Sequence, residues 1–245
     1  MPEGPSIVIL KEAINSFRGK KILEADGYGK DLAYGRLHGT RLVDIRTFGK
    51  HLLLCFAGFT IRVHLQMFGS YRINNDKKDR NPKLRLRFAD GQTLSFYAGS
   101  ITMITRPLDE EYDWSADVMN DSFDVARAVK KIKLQPKMIA ADALLDQTIV
   151  AGSGNIIKNE VLFRVKIHPR SKVGNIPTSR LQKMIQETVR YSFQFLEWKK
   201  EGTLRKHWQA YTKKVCPRDG HTMQKRYLGL TARRTFYCTE CQKLY

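Results

Sequence analysis

The sequence predicts an α+β fold, because strand-like and helix-like patterns occupy different halves of the chain. Short runs of apolar residues dominate before residue 107, and apolar residues three or four positions apart dominate after residue 124. Three of the four cysteines lie in the last thirty residues. We therefore expect an N-terminal antiparallel β-sandwich with a leading helix, a helical domain and a C-terminal zinc-ribbon hairpin. The expected boundaries are 1–108 for the sandwich, 109–124 for an acidic linker, 125–212 for the helical domain and 213–245 for the zinc finger.

The first half combines one helix with many short strands. Apolar residues at helical spacing open the chain and a glycine follows them: Ile7, Leu10, Ile14, Phe17 and Gly19. Five runs then have the length and composition of strands: 41–48, 51–57, 60–66, 83–89 and 92–97. Asp90-Gly91, between the last two runs, is typical of a hairpin turn. Many short strands with regular turns favour an antiparallel sandwich or barrel.

The second half is helical and contains a glycine-rich junction. Four segments have helical periodicity: 124–133, 137–146, 155–164 and 178–200. Between the second and the third, Gly152, Gly154 and Asn155 form a pattern typical of a tight turn before a helix N-terminus. Two interpretations are open at this point. The junction is either only the turn of a helical hairpin, or it presents backbone N–H groups and the Asn155 side chain to a phosphate.

The net charge of the chain indicates which class of partner it binds. Lys and Arg outnumber Asp and Glu by 43 to 24, which gives a net charge of +19 and indicates a polyanionic partner, most commonly nucleic acid. A merely basic or ribosomal protein is the alternative. The basic residues are concentrated after Lys199, whereas the stretch from Pro107 to Ala126 carries only acidic charges and predicts the linker. The chain has no apolar run of about 18 residues and no leader pattern, so we expect a cytoplasmic protein.

The clustered cysteines predict a structural zinc site. Cys216, Cys238 and Cys241 resemble a zinc ribbon, but Asp219 occupies the position at which a second CxxC would end. His221 gives the pattern C-x4-H-x16-C-x2-C, and three thiolates with one imidazole make an acceptable tetrahedral set for zinc. Asp219 is the alternative fourth ligand. A disulfide between Cys238 and Cys241 is the alternative, which a reducing compartment disfavours.

The N-terminus contains a candidate nucleophile. Removal of Met1 would leave Pro2 with a secondary amine that is partly unprotonated at neutral pH and able to attack an electrophilic carbon. Glu3 is adjacent and could transfer protons. In the alternative interpretation, both are ordinary residues of a helix start, where proline fits the first turn and the helix dipole favours an acid.

Six motifs occur in a single order along the chain. They are MPEGP at the start, FGK at 48–50, HLQMFG at 64–69, LLDQTIVAGSGN at 144–155, HP at 168–169 and TARRTFYCTECQ at 231–242. With these motifs the chain resembles, essentially end to end, the formamidopyrimidine-DNA glycosylase and endonuclease VIII family of base-excision repair enzymes. The resemblance implies a β-sandwich, a helix–two-turn–helix domain and a zinc finger around a cleft for damaged double-stranded DNA. It also implies a monomer and makes the nucleophile interpretation of Pro2 the favoured one.

The resemblance implies a role for each matching residue. Pro2 would attack C1′ of a damaged nucleotide flipped out of the duplex, and Glu3 would protonate the opening deoxyribose. Lys50, counted with these catalytic residues, would hold a phosphate beside the lesion. Further backbone contacts would come from His64, Asn155 and Arg233. Gln66, Met67 and Phe68 would fill the gap that the flipped base leaves.

The same resemblance favours one branch of the family. The three gap-filling residues are consecutive here, as in endonuclease VIII, and 99–103 lacks the Arg–Phe pair of the formamidopyrimidine branch. We therefore expect a bifunctional glycosylase and AP lyase that prefers oxidised pyrimidines and acts through a Schiff base of Pro2 followed by β/δ-elimination. Ser6 replaces a carboxylate that bacterial members usually carry at this position. An inactive damaged-DNA-binding relative, or an enzyme that prefers oxidised purines, is thus the alternative.

Overall fold

The computed structural model describes residues 2–30 and 32–245. Met1, whose removal the predicted chemistry requires, lies outside the described residues. The described chain divides into two compact units, one of residues 2 and 6–112 and the other of residues 3–5 and 113–245. No helix within the described ranges is long and apolar enough to cross a membrane.

The first unit consists of a leading helix, two four-stranded sheets and a short final helix. Its elements are α1 (Gly4–Ala13), β1 (Ile22–Asp26), β2 (Asp44–Phe48), β3 (His51–Phe56), β4 (Phe59–His64), β5 (Ser70–Ile73), β6 (Leu84–Phe88), β7 (Thr93–Tyr97), β8 (Ser100–Ile104) and α2 (Leu108–Glu111). The first two residues of α1 cluster with the second unit. One antiparallel sheet has the order β1-β6-β7-β5 and the other the order β2-β3-β4-β8.

The two sheets and α1 share one apolar core, which confirms the predicted sandwich with its leading helix. In β6 the side chains of Leu84, Leu86 and Phe88 are buried and those between them are not, because successive side chains of a strand point to opposite faces. The same core contains Ile7, Leu10 and Ile14 of α1 and, from the other sheet, Leu52, Leu54, Ile61 and Val63.

The acidic stretch that we predicted as a linker is structured. It contains α2 and a short 3-10 turn, Trp114–Ala116, and Val118 after them is fully buried. Its acids pair with nearby bases: Glu111 Oε1 lies 2.9 Å from Arg62 Nη1, and Asp113 Oδ2 lies 3.0 Å from Lys131 Nζ. The two units meet inside this stretch in the chain, between residues 112 and 113. The other predicted boundaries stay predictions.

The second unit is helical and ends in a β-hairpin. Its elements are α3 (Val125–Lys133), α4 (Ala140–Ala143), α5 (Asn155–Arg164), α6 (Thr178–Lys200), β9 (Gln224–Leu228) and β10 (Arg233–Tyr237). The helices enclose a core that includes Ile157 and Val161 of α5 and Leu181 of α6. β9 and β10 pair antiparallel, and Phe236 packs in a small cluster with Phe163 of α5. The predicted α+β organisation is therefore confirmed.

Candidate functional site

The side chain of Glu3 is anchored at the N-terminus of α5. Only 1% of Glu3 is exposed. Its Oε1 accepts a hydrogen bond from the backbone N–H of Ile156 at 2.7 Å, and its Oε2 accepts one from Ile157 at 3.2 Å. The first N–H groups of a helix have no partner within the helix, and the positive end of the helix dipole favours a carboxylate. The carboxyl group that follows Pro2 is therefore held in one place.

The glycines of the junction make room for this carboxylate. A Cβ at Gly154 would lie 2.5 Å from both Cδ and Cγ of Glu3. The N–H of Gly4 donates to the carbonyl of Gly152 at 2.8 Å, and a Cβ at Gly4 would lie 3.1 Å from Gly152 Cα. Any side chain at Gly154 would occupy the space of the Glu3 side chain.

The predicted phosphate contact of the Asn155 side chain at the junction stays a prediction. Two backbone N–H groups of the junction, those of Ile156 and Ile157, donate to Glu3 and so are not available to a phosphate. Pattern reasoning missed this contact because its partners are more than 150 positions apart in sequence. The half-buried Pro2 directly precedes the anchored residue.

Asn155 and Arg233 lie where α5 meets the hairpin. Asn155 is the first residue of α5, and its Nδ2 donates to the carbonyl of Arg234 at 3.0 Å. Arg233 begins β10 and follows Ala232, whose φ of 46° is in the left-handed region. The structure thus brings together three predicted residues, Glu3, Asn155 and Arg233, around the N-terminus of α5.

In the first unit, Lys50 lies in a two-residue turn. Phe48 pairs with His51 across the turn between β2 and β3, and Gly49 has a φ of 54°. This left-handed conformation suits glycine in a tight hairpin. The turn places Lys50 at the end of the sheet, next to the strand ends that carry two histidines.

His64 ends β4 and faces His51. Leu52 pairs with Val63, so the register continues to these histidines, whose ring centroids are 5.1 Å apart. Burial, the neighbouring His64 and the positive charges of Arg62 and Lys50 together lower the pKa of His51 to about 4. Burial and the charges of Lys50 and Arg62 also lower the pKa of His64. Both imidazoles are therefore neutral at pH 7, with Lys50 as a cation beside them.

His51 was missed by the sequence analysis. Its Nδ1 lies 3.3 Å from the hydroxyl of Tyr112, and its ring lies against that of His64. One feature of the sequence indicates that His51 belongs to the site: it directly follows the predicted phosphate ligand Lys50, at the start of a strand.

Gln66, Met67 and Phe68 form an exposed turn directly after β4. Met67 is 56% exposed and Phe68 81% exposed, and Gln66 has a φ of 55°. The N–H of Gly69 donates to the carbonyl of Leu65 at 2.8 Å. A Cβ at Gly69 would overlap that carbonyl oxygen, so glycine permits the tight return of the chain. Met67 and Phe68 are adjacent, so the turn presents two large apolar side chains to the solvent side by side.

The cysteines form a group that could hold a metal ion. The ligand atoms of Cys216, Asp219, Cys238 and Cys241 all lie within 4.8 Å of one another. Sγ of Cys216 and Sγ of Cys241 are 3.8 Å apart, and a tetrahedral zinc ion with Zn–S bonds of about 2.3 Å would separate two thiolates by about 3.8 Å. The four residues thus fit a zinc ion. All four cysteines are free thiols, so the alternative disulfide is absent from the described residues.

The fourth member of this group is Asp219 rather than the predicted His221. The turn after Cys216 is closed by the N–H of Gly220, which donates to the carbonyl of Cys216 at 3.0 Å. It directs Oδ2 of Asp219 to within 3.3 Å of Sγ of Cys238. The side chain of His221 is exposed and its Nδ1 lies 3.4 Å from Oδ1 of Asp219, outside the group. The indication in the sequence was the position of Asp219, three residues after the first cysteine.

Comparisons with known proteins place the chain in a family. Residues 1–98 match the model of the formamidopyrimidine-DNA glycosylase N-terminal domain, and residues 115–205 match that of the formamidopyrimidine-DNA glycosylase H2TH domain. The chain belongs to the family of formamidopyrimidine-DNA glycosylases and endonuclease VIII, which confirms the resemblance inferred from its motifs.

The similar curated proteins belong to the endonuclease VIII-like branch. The chain is 30% identical over 218 residues to endonuclease 8-like 3 of Xenopus laevis, an alignment that covers 84% of this chain and 35% of that protein. It is 32% identical over 201 residues to endonuclease 8-like 2 of Homo sapiens, covering 76% and 58%. The chain thus spans about a third and somewhat over half of the length of these relatives.

Solved structures show the same fold. A viral DNA glycosylase superposes with a TM-score of 0.85 at 23% identity, covering 98% of this chain and 100% of that one. The formamidopyrimidine-DNA glycosylase of Lactococcus lactis, bound to DNA that contains an abasic site, superposes with a TM-score of 0.86 at 24% identity, covering 98% and 99%.

Proposed function

We propose that this chain is a bifunctional DNA glycosylase and AP lyase of base-excision repair that acts on damaged double-stranded DNA. The observation that carries the proposal is the Glu3 carboxylate, which is buried and held by two N–H groups of α5 directly after Pro2. Membership of the family and similarity to endonuclease 8-like proteins support it. The consecutive residues Gln66, Met67 and Phe68 support oxidised pyrimidines as the preferred substrates.

In the proposed reaction the secondary amine of Pro2 attacks C1′ of the damaged nucleotide. The bond from C1′ to the base breaks and the base leaves with the bonding electrons. Glu3 takes up the proton that the proline nitrogen loses and donates it to the ring oxygen, as the bond from C1′ to that oxygen breaks and the nitrogen lone pair forms the iminium ion. The resulting iminium ion acidifies the protons on C2′, and loss of one of them expels the 3′ phosphate by β-elimination. The helix N-terminus stabilises the carboxylate that Glu3 becomes after it has given its proton.

Cationic and amide groups of both units would contact the DNA backbone. In the first unit, Lys50 supplies a charge beside the neutral imidazole of His64, which can accept a proton when a phosphate approaches. In the second unit, Asn155 and Arg233 lie at the junction of α5 and β10. Phe68, exposed at the tip of its turn, would enter the gap that the flipped base leaves.

The metal group would have a structural role. Cys216, Asp219, Cys238 and Cys241 would hold a zinc ion, whose binding free energy stabilises the fold of the finger that carries Arg233. The reaction itself requires only groups of the chain.

Covalent trapping on a duplex that contains an abasic site tests the proposal. Borohydride should reduce the iminium ion and link the protein to DNA. A variant that retains an extra residue before Pro2 should not be trapped, because its proline nitrogen is an amide. Glu3→Gln should lose base release but keep some cleavage of preformed abasic sites, which need no leaving base. Full trapping of the extended variant would assign the nucleophile to another residue, and binding without trapping by either protein would indicate an inactive relative.

A panel of duplexes with oxidised pyrimidines or oxidised purines tests the substrate preference.

A further inference from the structure

Lys158 is a fully buried lysine that the proposed reaction does not use. It lies on α5 with 0% relative exposure. Lysine is almost never fully buried unless its charge is paired. The pKa of Lys158 is lowered to about 8, mainly by burial; the negative charges of Asp142 and Glu3 oppose this shift, and the positive charge of Arg233 adds to it. A buried charge reduces the stability of the fold, so its presence calls for a functional explanation.

The ammonium group of this lysine faces the beginning of β10. Its Nζ donates to Oγ1 of Thr235 at 2.8 Å and lies 3.4 Å from the carbonyl oxygen of Arg234. Nδ2 of Asn155 and Nδ2 of Asn159 reach the same carbonyl at 3.0 and 3.3 Å. Oδ1 of Asn159 accepts a hydrogen bond from the N–H of Phe236 at 2.6 Å. One face of α5 therefore holds residues 234–236 of the strand.

A second contact holds the hairpin on the other side of Arg233. Asp142, directly before the end of α4, accepts a hydrogen bond from the N–H of Leu230 at 3.1 Å through Oδ1 and 3.2 Å through Oδ2. The hydroxyl of Thr235 donates to the carbonyl of Arg233 at 3.0 Å. Arg233 thus lies between two fixed points of the hairpin, at residue 230 and at residues 234–236.

We propose that Lys158 is a positioning residue, which fixes β10 on α5 so that Arg233 is held beside Asn155 and Glu3 for contact with the DNA backbone. The inference rests on the proposed function, which assigns Arg233 to a DNA phosphate. Replacement of Lys158 should not unfold the protein, because both groups that accept hydrogen bonds from Lys158 keep other hydrogen bonds. The carbonyl of Arg234 keeps Asn155 and Asn159, and the hydroxyl of Thr235 keeps the carbonyl of Arg233.

The test measures binding of Lys158→Met to a duplex with a tetrahydrofuran abasic analogue at several salt concentrations. Affinity should fall about tenfold, as for the loss of one charge-assisted hydrogen bond, and the salt slope should fall by about 0.9, as for one phosphate contact. Arg233→Ala should have the same effects and should add nothing to Lys158→Met. The trapping rate at saturating DNA should stay within about twofold of the wild-type rate, because the amides of α5 still hold Glu3. Lys183→Met, which removes an exposed charge of α6, is the control and should leave affinity and slope nearly unchanged.

Two further measurements separate this inference from the proposed function. Amide hydrogen exchange at 233–236, measured without DNA, should be faster in Lys158→Met, while its denaturant midpoint should be no lower than that of the wild type. Thr235→Val, which keeps the lysine but removes its nearest acceptor, should change exchange and affinity in the same direction. Unchanged hydrogen exchange in both Lys158→Met and Thr235→Val would overturn the positioning role. So would a double variant of Lys158→Met and Arg233→Ala whose loss of affinity equals the product of the two single losses. Faster exchange with no effect of Arg233→Ala on DNA binding would support the Lys158 contact and refute the phosphate role of Arg233.

Discussion

Replacing Gly154 with alanine should expel the Glu3 side chain from its place at α5. The backbone at Gly154 has φ −133° and ψ −161°, an extended conformation that any residue adopts. Alanine therefore adds no backbone strain, and its effect comes from the added methyl group alone. That methyl carbon would lie 2.5 Å from Cδ and Cγ of Glu3 and 2.7 Å from its Oε1. Carbon atoms in favourable contact are about 3.5–4.0 Å apart, so one of the two groups must move.

The expected loss of stability follows from these contacts. Overpacking of a buried position costs about 1–3 kcal/mol. Movement of Glu3 would also break its hydrogen bonds to Ile156 and Ile157, and hydrogen bonds to a charged group contribute about 1.5–3 kcal/mol each. Because the structure can relax along the less costly route, we expect the free energy of unfolding to fall by about 2–4 kcal/mol. Base release should be lost, since the carboxyl group no longer follows Pro2 in a defined position.

Denaturant unfolding in two backgrounds checks this prediction. In Glu3→Ala the side-chain atoms that would clash are absent, so Gly154→Ala should cost less than about 1 kcal/mol there. Gly35→Ala is the control, because a Cβ at Gly35 has no heavy atom within 4 Å and its φ is not positive. Equal losses of stability from Gly154→Ala in both backgrounds would refute the packing of Glu3 against Gly154.

Three further predictions concern the metal, the exposed turn and the buried lysine. Asp219→Ala should release the zinc ion while His221→Ala retains one zinc per chain; metal analysis with the opposite result would restore His221 as the ligand. Phe68→Ala should impair base excision from duplex DNA more than cleavage of a preformed abasic site. The control Tyr28→Ala, at another exposed aromatic residue, should affect neither reaction. Equal losses on both substrates would contradict the insertion of Phe68 into the gap left by the flipped base. Between pH 8 and pH 10.5, the free energy of unfolding of the wild type should rise by up to about 3 kcal/mol relative to that of Lys158→Met. The reason is that Lys158 loses its ammonium proton at about pH 8 in the folded protein but only at about 10.5 in the unfolded chain. A constant difference across this range would show that burial of the lysine does not lower its pKa.

The elements with strong local patterns were predictable from the sequence. The predicted helical segment 155–164 matches α5, and the predicted strand 92–97 matches β7 within one residue. β1, β5 and β8 were missed because each is a short strand at the edge of its sheet with few buried residues, so that alternation of apolar residues is weak. The predicted helix 137–146 is helical only at Ala140–Ala143. There Ile139 forms a bridge with Lys172, a distant pairing that helical periodicity does not reveal.

The candidate site was predictable only where a residue acts through its own chemistry. Pro2, Lys50 and Phe68 could be selected by residue type and motif. The anchor of Glu3 could not, because it depends on two amides that lie 153 and 154 positions away. His221 was predicted as the fourth metal ligand because histidine is the more usual partner of three cysteines. Only the folded turn shows that Asp219 reaches the thiols.

Lys158 lies on a helix that is buried on all sides, and the contacts of its polar residues cannot be predicted from the periodicity of the sequence. Residues 157–163 of α5 are all buried, so three consecutive polar residues of this segment, Lys158, Asn159 and Glu160, must find partners inside the protein. Glu160 accepts hydrogen bonds from three consecutive N–H groups, those of residues 209–211. Lys158 and Asn159 bind the strand that begins with Arg233. A central helix that carries polar residues on its buried surface therefore indicates which distant segments it organises, and α5 organises Glu3, the hairpin and the segment that leads into the finger.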